Sequence, residues 1–296
     1  MISRFLKRKP KVTLPVNPAL PDGVVLWAVG DVHGRLDLLE PLMTAILDDA
    51  ATVAADRKVV IFLGDYIDRG PESRGVVQYL AKLSDREGIE WRFLKGNHEE
   101  AMIRFLGKGT GGIEWFEYGG DTTLQSYGLR VPDMKHKPEA WAHVAADLSH
   151  RLTDAERKFL ENLELCISVG DYFFVHAGAR PGVPLDQQDP EDMMRIRRTF
   201  LDSDVGFDRV VVHGHTPAEH VHSDRRRVGI DTKAYSSGRL TALRLYGTNR
   251  TIVEALLPLS DPQLSTRGPV IIDHRPLDSD RPGRVDIVPP LEAGYR

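Results

Sequence analysis

The chain has 296 residues, 41% of them hydrophobic and 28% charged, with a formal net charge of −4. Such a chain is long enough to bury a core as one large α/β domain or two small ones. The near balance of charge gives no reason to expect a nucleic-acid partner, no apolar run approaches the ~20 residues of a membrane span, and a single cysteine excludes an internal disulfide.

Residues 1–22 read as a basic, proline-containing arm in solvent. Arg4, Lys7, Arg8, Lys9 and Lys11 are followed by Pro15, Pro18 and Pro21 rather than by the apolar stretch of a signal peptide. Val24–Val29 is an apolar run ending in Gly30-Asp31, a buried strand that enters a tight loop. Leu36–Asp49 has helical spacing, Val59–Leu63 is a second strand, Ser73–Leu83 a second helix and Ile89–Leu94 a third strand. This β-α-β-α-β alternation favours a parallel sheet with crossover helices.

Residues 99–163 lack strand runs and read as a mainly helical insertion. Glu99–Leu106 and Pro138–Leu163 are its helical parts, and the glycine-rich stretch Gly107–Gly120 carries Trp115, Phe116 and Tyr118. Strands return at Leu165–Val169 and Tyr172–Val175, joined by Gly170-Asp171 as a hairpin, then at Val210–Val212, Val228–Ile230, Leu240–Tyr246 and Ile252–Leu257. Residues 23–258 therefore form one α/β domain of central sheets flanked by helices. Residues 259–296, rich in Pro, Asp and Arg, read as a poorly ordered tail apart from Val270–Ile272. Cys166 lies in an apolar run and reads as a buried strand thiol, and a disulfide-free chain fits a cytoplasmic setting.

The chemistry-bearing residues share one address. Asp31 and His33 follow the first strand, Asp65 the second, Asn97 the third, His176 follows Tyr172–Val175, and His215 follows Val210–Val212. Ligands of open α/β sheets gather at the carboxyl ends of strands. Carboxylate, imidazole and amide oxygen suit Mn, Fe, Zn or Mg rather than a thiolate-loving metal. A bridging carboxylate can hold two such ions about 3.5–4 Å apart, where they polarise phosphoryl oxygens and acidify water.

The ordered set Gly30-Asp31-Val32-His33-Gly34, Gly64-Asp65-Tyr66-Ile67-Asp68-Arg69-Gly70 and Gly96-Asn97-His98-Glu99 resembles the calcineurin-like metallophosphoesterase superfamily. The Asp-Arg-Gly ending narrows the resemblance to the phosphoprotein phosphatase branch, which includes Ser/Thr protein phosphatases and symmetrical diadenosine tetraphosphate hydrolases. The resemblance covers about residues 24–246 and implies a layered sheet sandwich with two divalent ions, manganese first among them. It implies that Asp31 and His33 bind one ion, that Asp65 bridges, and that Asn97, His176 and His215 bind the other. His98 would protonate the leaving oxygen, Asp68 would orient that imidazole, and Arg69 would hold the phosphoryl oxygens. Arg197, in Met194-Arg195-Ile196-Arg197, stands where relatives place a second clamp arginine, and Arg195 stands where they have an aromatic residue. Lys233 replaces a glycine usual in relatives, which puts the substrate in question.

His213 is expected behind the cage rather than in it, because the superfamily's optional further ligand position is Pro217 here. His136, His143 and His150, at spacing seven, read as a surface stripe; His220, His222 and His274 read as exposed loop residues. The leading expectation is a Ser/Thr-type phosphoprotein phosphatase that hydrolyses phosphomonoesters by metal-activated hydroxide. A symmetrical dinucleoside tetraphosphate hydrolase and an inactive phospho-binding scaffold are the rivals. Gly111–Tyr127 is expected to wall the substrate cleft, with Trp115, Phe116 and Tyr118 either stacking on a base or packing in the core.

Overall fold

The computed structural model describes residues 14–84, 86–133, 137–257 and 271–277. The elements run in the order β1 (Val24–Val29), α1 (Leu36–Thr52), β2 (Arg57–Phe62), α2 (Ser73–Leu83) and β3 (Glu90–Phe93). Five helices follow: α3 (Asn97–Lys108), α4 (Gly112–Trp115), α5 (Asp121–Ser126), α6 (Pro138–Arg151) and α7 (Asp154–Glu161), with a π-helical turn at Phe116–Gly120 between α4 and α5. Then come β4 (Cys166–Val169), β5 (Tyr172–Val175), α8 (Pro190–Arg195), α9 (Arg198–Leu201), β6 (Val210–His213), β7 (His222–Ser223), β8 (Arg227–Gly229), α10 (Ala234–Ser237), β9 (Arg239–Tyr246), β10 (Asn249–Leu256) and β11 (Ile271–Pro276).

Alternation along β1 decides the layering. Every residue of β1 is buried, so both faces of its sheet are covered. Leu26 and Ala28 point toward a second sheet, where they join Tyr172, Phe174, Val210, Val212 and Val228. Val25, Trp27 and Val29 point the other way and pack with Leu38, Leu42, Val76 and Leu80 of the two crossover helices. A third cluster, built on Phe173, Val175 and Val211, covers the outer face of the second sheet with Met193 and Phe200. The result is two sheets face to face with helices outside each.

The first sheet has the order β11-β10-β9-β1-β2-β3 and the second β4-β5-β6-β8-β7. The central pairs β1·β2, β2·β3, β5·β6 and β6·β8 are parallel. Their carboxyl ends therefore open toward one rim, and the candidate ligands leave the sheets there. The expected hairpin at Gly170-Asp171 is present as the antiparallel pair β4·β5.

Pro138–Leu163 is helical as expected, in two pieces, because Thr153 and Glu156 form a reciprocal capping box that starts α7 afresh. The glycine-rich stretch, inside the insertion read as mainly helical, holds α4 and the π-helical turn Phe116–Gly120. Several local expectations need correction. Residues 18–21 are not a solvated arm: Leu20 is 4% exposed, its N–H donates to Gly247 O at 3.0 Å, and Tyr172 Oη donates to Pro18 O at 3.2 Å. Residues 1–13 lie outside the described residues, as do residues 258–270 and 278–296 of the expected tail, including Val270. Residues 271–276 are the edge strand β11, paired antiparallel with β10. His274 is on that strand and His222 is buried in β7, so neither is a loop residue; β7 is two residues long and too short to show periodicity. No helix among the described residues is long and apolar enough to cross a membrane.

Candidate metal centre

Strained backbone marks the centre before any side chain is considered. Among the described residues, the non-glycine positions at positive φ are His33, Asp65, Asp68, Arg69, His215 and Lys233. Left-handed backbone costs an L-residue about 1–2 kcal/mol, and it persists only where surrounding bonds hold it. Those bonds are present. Asp65 O accepts from Val32 N–H and His33 N–H at 3.0 and 2.8 Å, and Tyr66 O accepts from Gly34 N–H at 2.8 Å, lacing the first loop to the second. The buried carboxylate of Glu99 accepts from Asp65, Tyr66 and Gly96 N–H at 2.9, 2.8 and 3.0 Å, lacing the second loop to the start of α3. Burial and the nearby charge of Asp65 push Glu99 up to about 7.

Asp65 is the meeting point. Its Oδ2 lies 3.6 Å from His33 Nε2 and 3.8 Å from His98 Nε2, and its Oδ1 lies 3.4 Å from His176 Nε2. Two trios of metal-capable side chains result, His33–Asp65–His98 and Asp65–His176–His215, with Asp65 in both. His176 Nε2 lies 3.1 Å from Asn97 Oδ1 and 3.2 Å from His215 Nδ1, which brings Asn97 to the second trio. Asp31 is in neither trio; its carboxylate accepts from His215 N–H at 3.2 and 3.0 Å. Gly214 makes this approach feasible, since a Cβ there would fall inside the Asp31 carboxylate.

The donor set fits divalent ions. His33 donates from Nδ1 to Ile67 O at 2.8 Å and His176 from Nδ1 to Leu63 O at 2.8 Å, so each ring is held with its Nε2 turned toward Asp65. His215 Nε2 is buried with no hydrogen-bond partner, an orphan that a metal would satisfy. Burial, and then the neighbouring Asp231, hold Asp31 well above the usual carboxylate range. Burial opposes charge on His176, yet Asp65 and Asp31 raise it to about 9. The pocket thus draws positive charge to the point where the ligand atoms converge.

Beside it stands a second, drier assembly. His98 Nδ1 donates to Asp68 Oδ2 at 2.6 Å, and that same oxygen accepts from Trp115 Nε1 at 2.8 Å, while Asp68 Oδ1 accepts from Thr123 Oγ1 at 2.6 Å. Burial disfavours charge on His98, but the carboxylates of Asp65 and Asp68 outweigh it and raise the imidazole above its ordinary value. Trp115 is 1% exposed and packs on Phe105, so it is core and hydrogen-bond donor, not a stacking surface. Phe116 is half-buried against Trp141, whereas Tyr118 is 54% exposed at the cleft beside His98.

The arginines divide. Arg69 lies over the Tyr235 ring at 4.7 Å, and that ring meets His33 edge-on at 5.3 Å. Arg197 is exposed and close enough to His215 to lower its proton affinity, after burial and His176. Arg195 is bonded to Glu100 and Glu191 at 2.6 and 2.8 Å and does not point freely into the site. Lys233 occupies φ 61, the left-handed region where glycine is at ease.

His213 lies behind the cage, as expected. It donates from Nδ1 to Gly214 O at 3.0 Å and accepts from Arg227 Nη1 at 3.2 Å, and burial followed by Arg227 pushes it down to about 3. His143 and His150 are exposed on α6, and His136 lies outside the described residues. Sequence reasoning gave no role to Glu99, Thr123, Asp231 or Tyr235, and did not connect Trp115 to Asp68. Glu99 lies inside Gly96-Asn97-His98-Glu99 and Asp231 two positions before Lys233, and that neighbourhood was the available signal; Trp115 and Thr123 are remote in sequence from Asp68 and left none.

Residues 24–237 match the family model of the calcineurin-like phosphoesterases. Proteins named bis(5'-nucleosyl)-tetraphosphatase PrpE [asymmetrical] are similar along most of the chain. That of Bacillus velezensis is 24% identical over 78% of this chain and 92% of its own, and that of Geobacillus thermodenitrificans 26% over 78% and 94%. Among solved structures, a putative diadenosine tetraphosphatase superposes with a TM-score of 0.52 at 21% identity, covering 79% of this chain and 92% of its own. A cold-active protein tyrosine phosphatase superposes with a TM-score of 0.51 at 17% identity, covering 86% and 85%.

The close approach at Gly214 gives a test. Gly214→Ala displaces the Asp31 carboxylate and lowers stability by about 1–3 kcal/mol, the usual cost of overpacking. A thermal melt reads that loss, and Mn²⁺ titration of the folded variant reads a weakened affinity.

Proposed function

The chain belongs to the calcineurin-like phosphoesterase family and is a hydrolase of phosphate esters; we propose that its reaction takes place at a dinuclear centre held by Asp31, His33, Asp65, Asn97, His176 and His215, with His98 as the general acid. The observation that carries this reading is the double membership of Asp65 in two adjacent ligand trios, with the His98–Asp68 pair beside them. When bound, two divalent ions supply Lewis acidity toward the phosphoryl oxygens and a water acidified to neutral pH. Manganese is the first candidate, with iron, zinc and magnesium compatible with the same donor set.

The remaining steps fall to the chain's own groups. Arg69 and, from the His215 side, Arg197 bind phosphoryl oxygens and oppose the negative charge that grows during displacement. Asp68 fixes the His98 tautomer through Nδ1, which leaves Nε2 facing the site to give its proton to the departing oxygen. Trp115 and Thr123 hold both oxygens of Asp68, so the carboxylate has one orientation and the imidazole follows it. His98 also belongs to a ligand trio, so its role as acid rather than ligand is part of the proposal.

For the substrate, we favour a nucleoside polyphosphate over the phosphoprotein that leads on sequence grounds. The printed name of the PrpE relatives supports it, although that name specifies asymmetrical rather than symmetrical cleavage. The exposed ring of Tyr118 beside His98 supports it as well, since any base can stack on such a face. A phosphoprotein phosphatase remains the second reading, because the same reaction serves a phosphomonoester. A cytoplasmic setting goes with either.

Two experiments test these readings. His98→Asn should depress turnover of an aryl phosphate by roughly 10²–10⁴-fold with bound metal unchanged; parallel loss of metal and activity would make His98 a ligand. A panel of phosphopeptides and dinucleoside polyphosphates should show preference for the latter, and Tyr118→Ala should raise their KM about ten-fold. Preference for phosphopeptides would restore the phosphoprotein reading.

A further inference from the structure

Of the residues held at positive φ, His33, Asp65, Asp68, Arg69 and His215 have a place in the centre, and Lys233 has none. A glycine at φ 61 would relax the backbone and carry no charge; this chain puts a lysine there. Its turn is fixed from two sides. Arg35 Nη1 donates to Ala234 O at 2.5 Å, and the Asp231 carboxylate accepts from Lys233 N–H at 2.9 Å. The Asp231 carboxylate is thus engaged by the backbone of the same turn.

That ammonium shares a ring with Arg69. Lys233 Nζ lies 6.0 Å from the centroid of Tyr235, and the Arg69 guanidinium 4.7 Å from the same centroid. Tyr235 also meets His33 edge-on at 5.3 Å, so the ring leads directly out of the centre. Among the described residues, neither cation forms an ion pair with a carboxylate. Two like charges around one ring repel, and an anion extending from one to the other would offset that repulsion.

We propose that Lys233 forms a second anion subsite, which takes the phosphoryl group next to the scissile one in a phosphoanhydride chain. The inference rests on the phosphate-ester reading above, in which Arg69 holds oxygens of the group under attack. An ammonium on a flexible stem with three donors suits a polyphosphate chain, whose oxygens offer no single planar edge. Lys233 is then a specificity-determining residue for substrates with two or more linked phosphoryl groups, and a phosphomonoester leaves it unused.

The test compares Lys233→Gly and Lys233→Met with the unaltered protein, all loaded with Mn²⁺. Calorimetry reads the binding of methylenediphosphonate against methylphosphonate, and steady-state kinetics reads KM and kcat for a dinucleoside tetraphosphate against phenyl phosphate. Both variants should melt no lower than about the parent temperature, the glycine one because its backbone is relaxed there. Both should lose roughly ten-fold of the parent's preference for the diphosphonate, a change of about 1.4 kcal/mol. The same loss should appear in KM for the tetraphosphate, with kcat little moved. Equal weakening of both phosphonates, or no change in either, overturns the subsite. If the parent turns over no phosphate ester while the diphosphonate preference persists and depends on Lys233, the subsite stands and the hydrolase reading fails.

Discussion

Burying Asp31, Asp65, Asp68 and Asp231 at one rim imposes the constraint on which the rest of the structure depends. Each is at most 5% exposed, and among the described residues none forms an ion pair with a lysine or arginine. An uncompensated buried carboxylate costs several kcal/mol. Among the described residues, the cationic groups within ion-pair distance of Asp65 and Asp68 are imidazoles, which can give up protons and offer lone pairs instead. A group of carboxylates surrounded by imidazoles calls for divalent cations in a way that an arginine-paired group would not. The strained loops, the Glu99 brace and the missing Cβ at Gly214 all serve to hold those carboxylates close together.

The division of labour between Asp65 and Asp68 shows how the fold gives two similar groups different tasks. They stand three positions apart in sequence, and both are buried next to imidazoles. Asp65 faces His33, His98 and His176, and their combined charge holds it well below the usual carboxylate range although burial acts against this. Asp68 instead faces into the helical layer, where Trp115 and Thr123 occupy its oxygens along with His98. The segment between β3 and β4 therefore does more than wall a cleft. It supplies the donors that hold Asp68 against His98, and it connects that pair to the packing of Trp115, Phe105 and Trp141.

Much of this was legible in the sequence, for identifiable reasons. The first five elements follow from long apolar runs and helical spacing, and Asp31, His33, Asp65, Asn97, His98, His176 and His215 follow from short motifs at strand ends. What escaped depends on distance along the chain. Trp115 and Asp68 are 47 residues apart and Thr123 is 55 from it, so no local pattern links them. The burial of His222 escaped because a two-residue strand has no period to read. Lys233 was visible as a departure from pattern, but its left-handed backbone and its ring shared with Arg69 exist only in three dimensions.

The account stands on two cations sharing Asp65. The most direct measurement is anomalous X-ray scattering at the manganese edge from crystals of the Mn²⁺-loaded protein, paired with the same data from Asp65→Asn. The account predicts two peaks flanking the Asp65 carboxylate, one toward His33 and one toward His176 and His215, with loss of at least one peak in the variant. A single peak, or two peaks that the variant leaves in place, would contradict it.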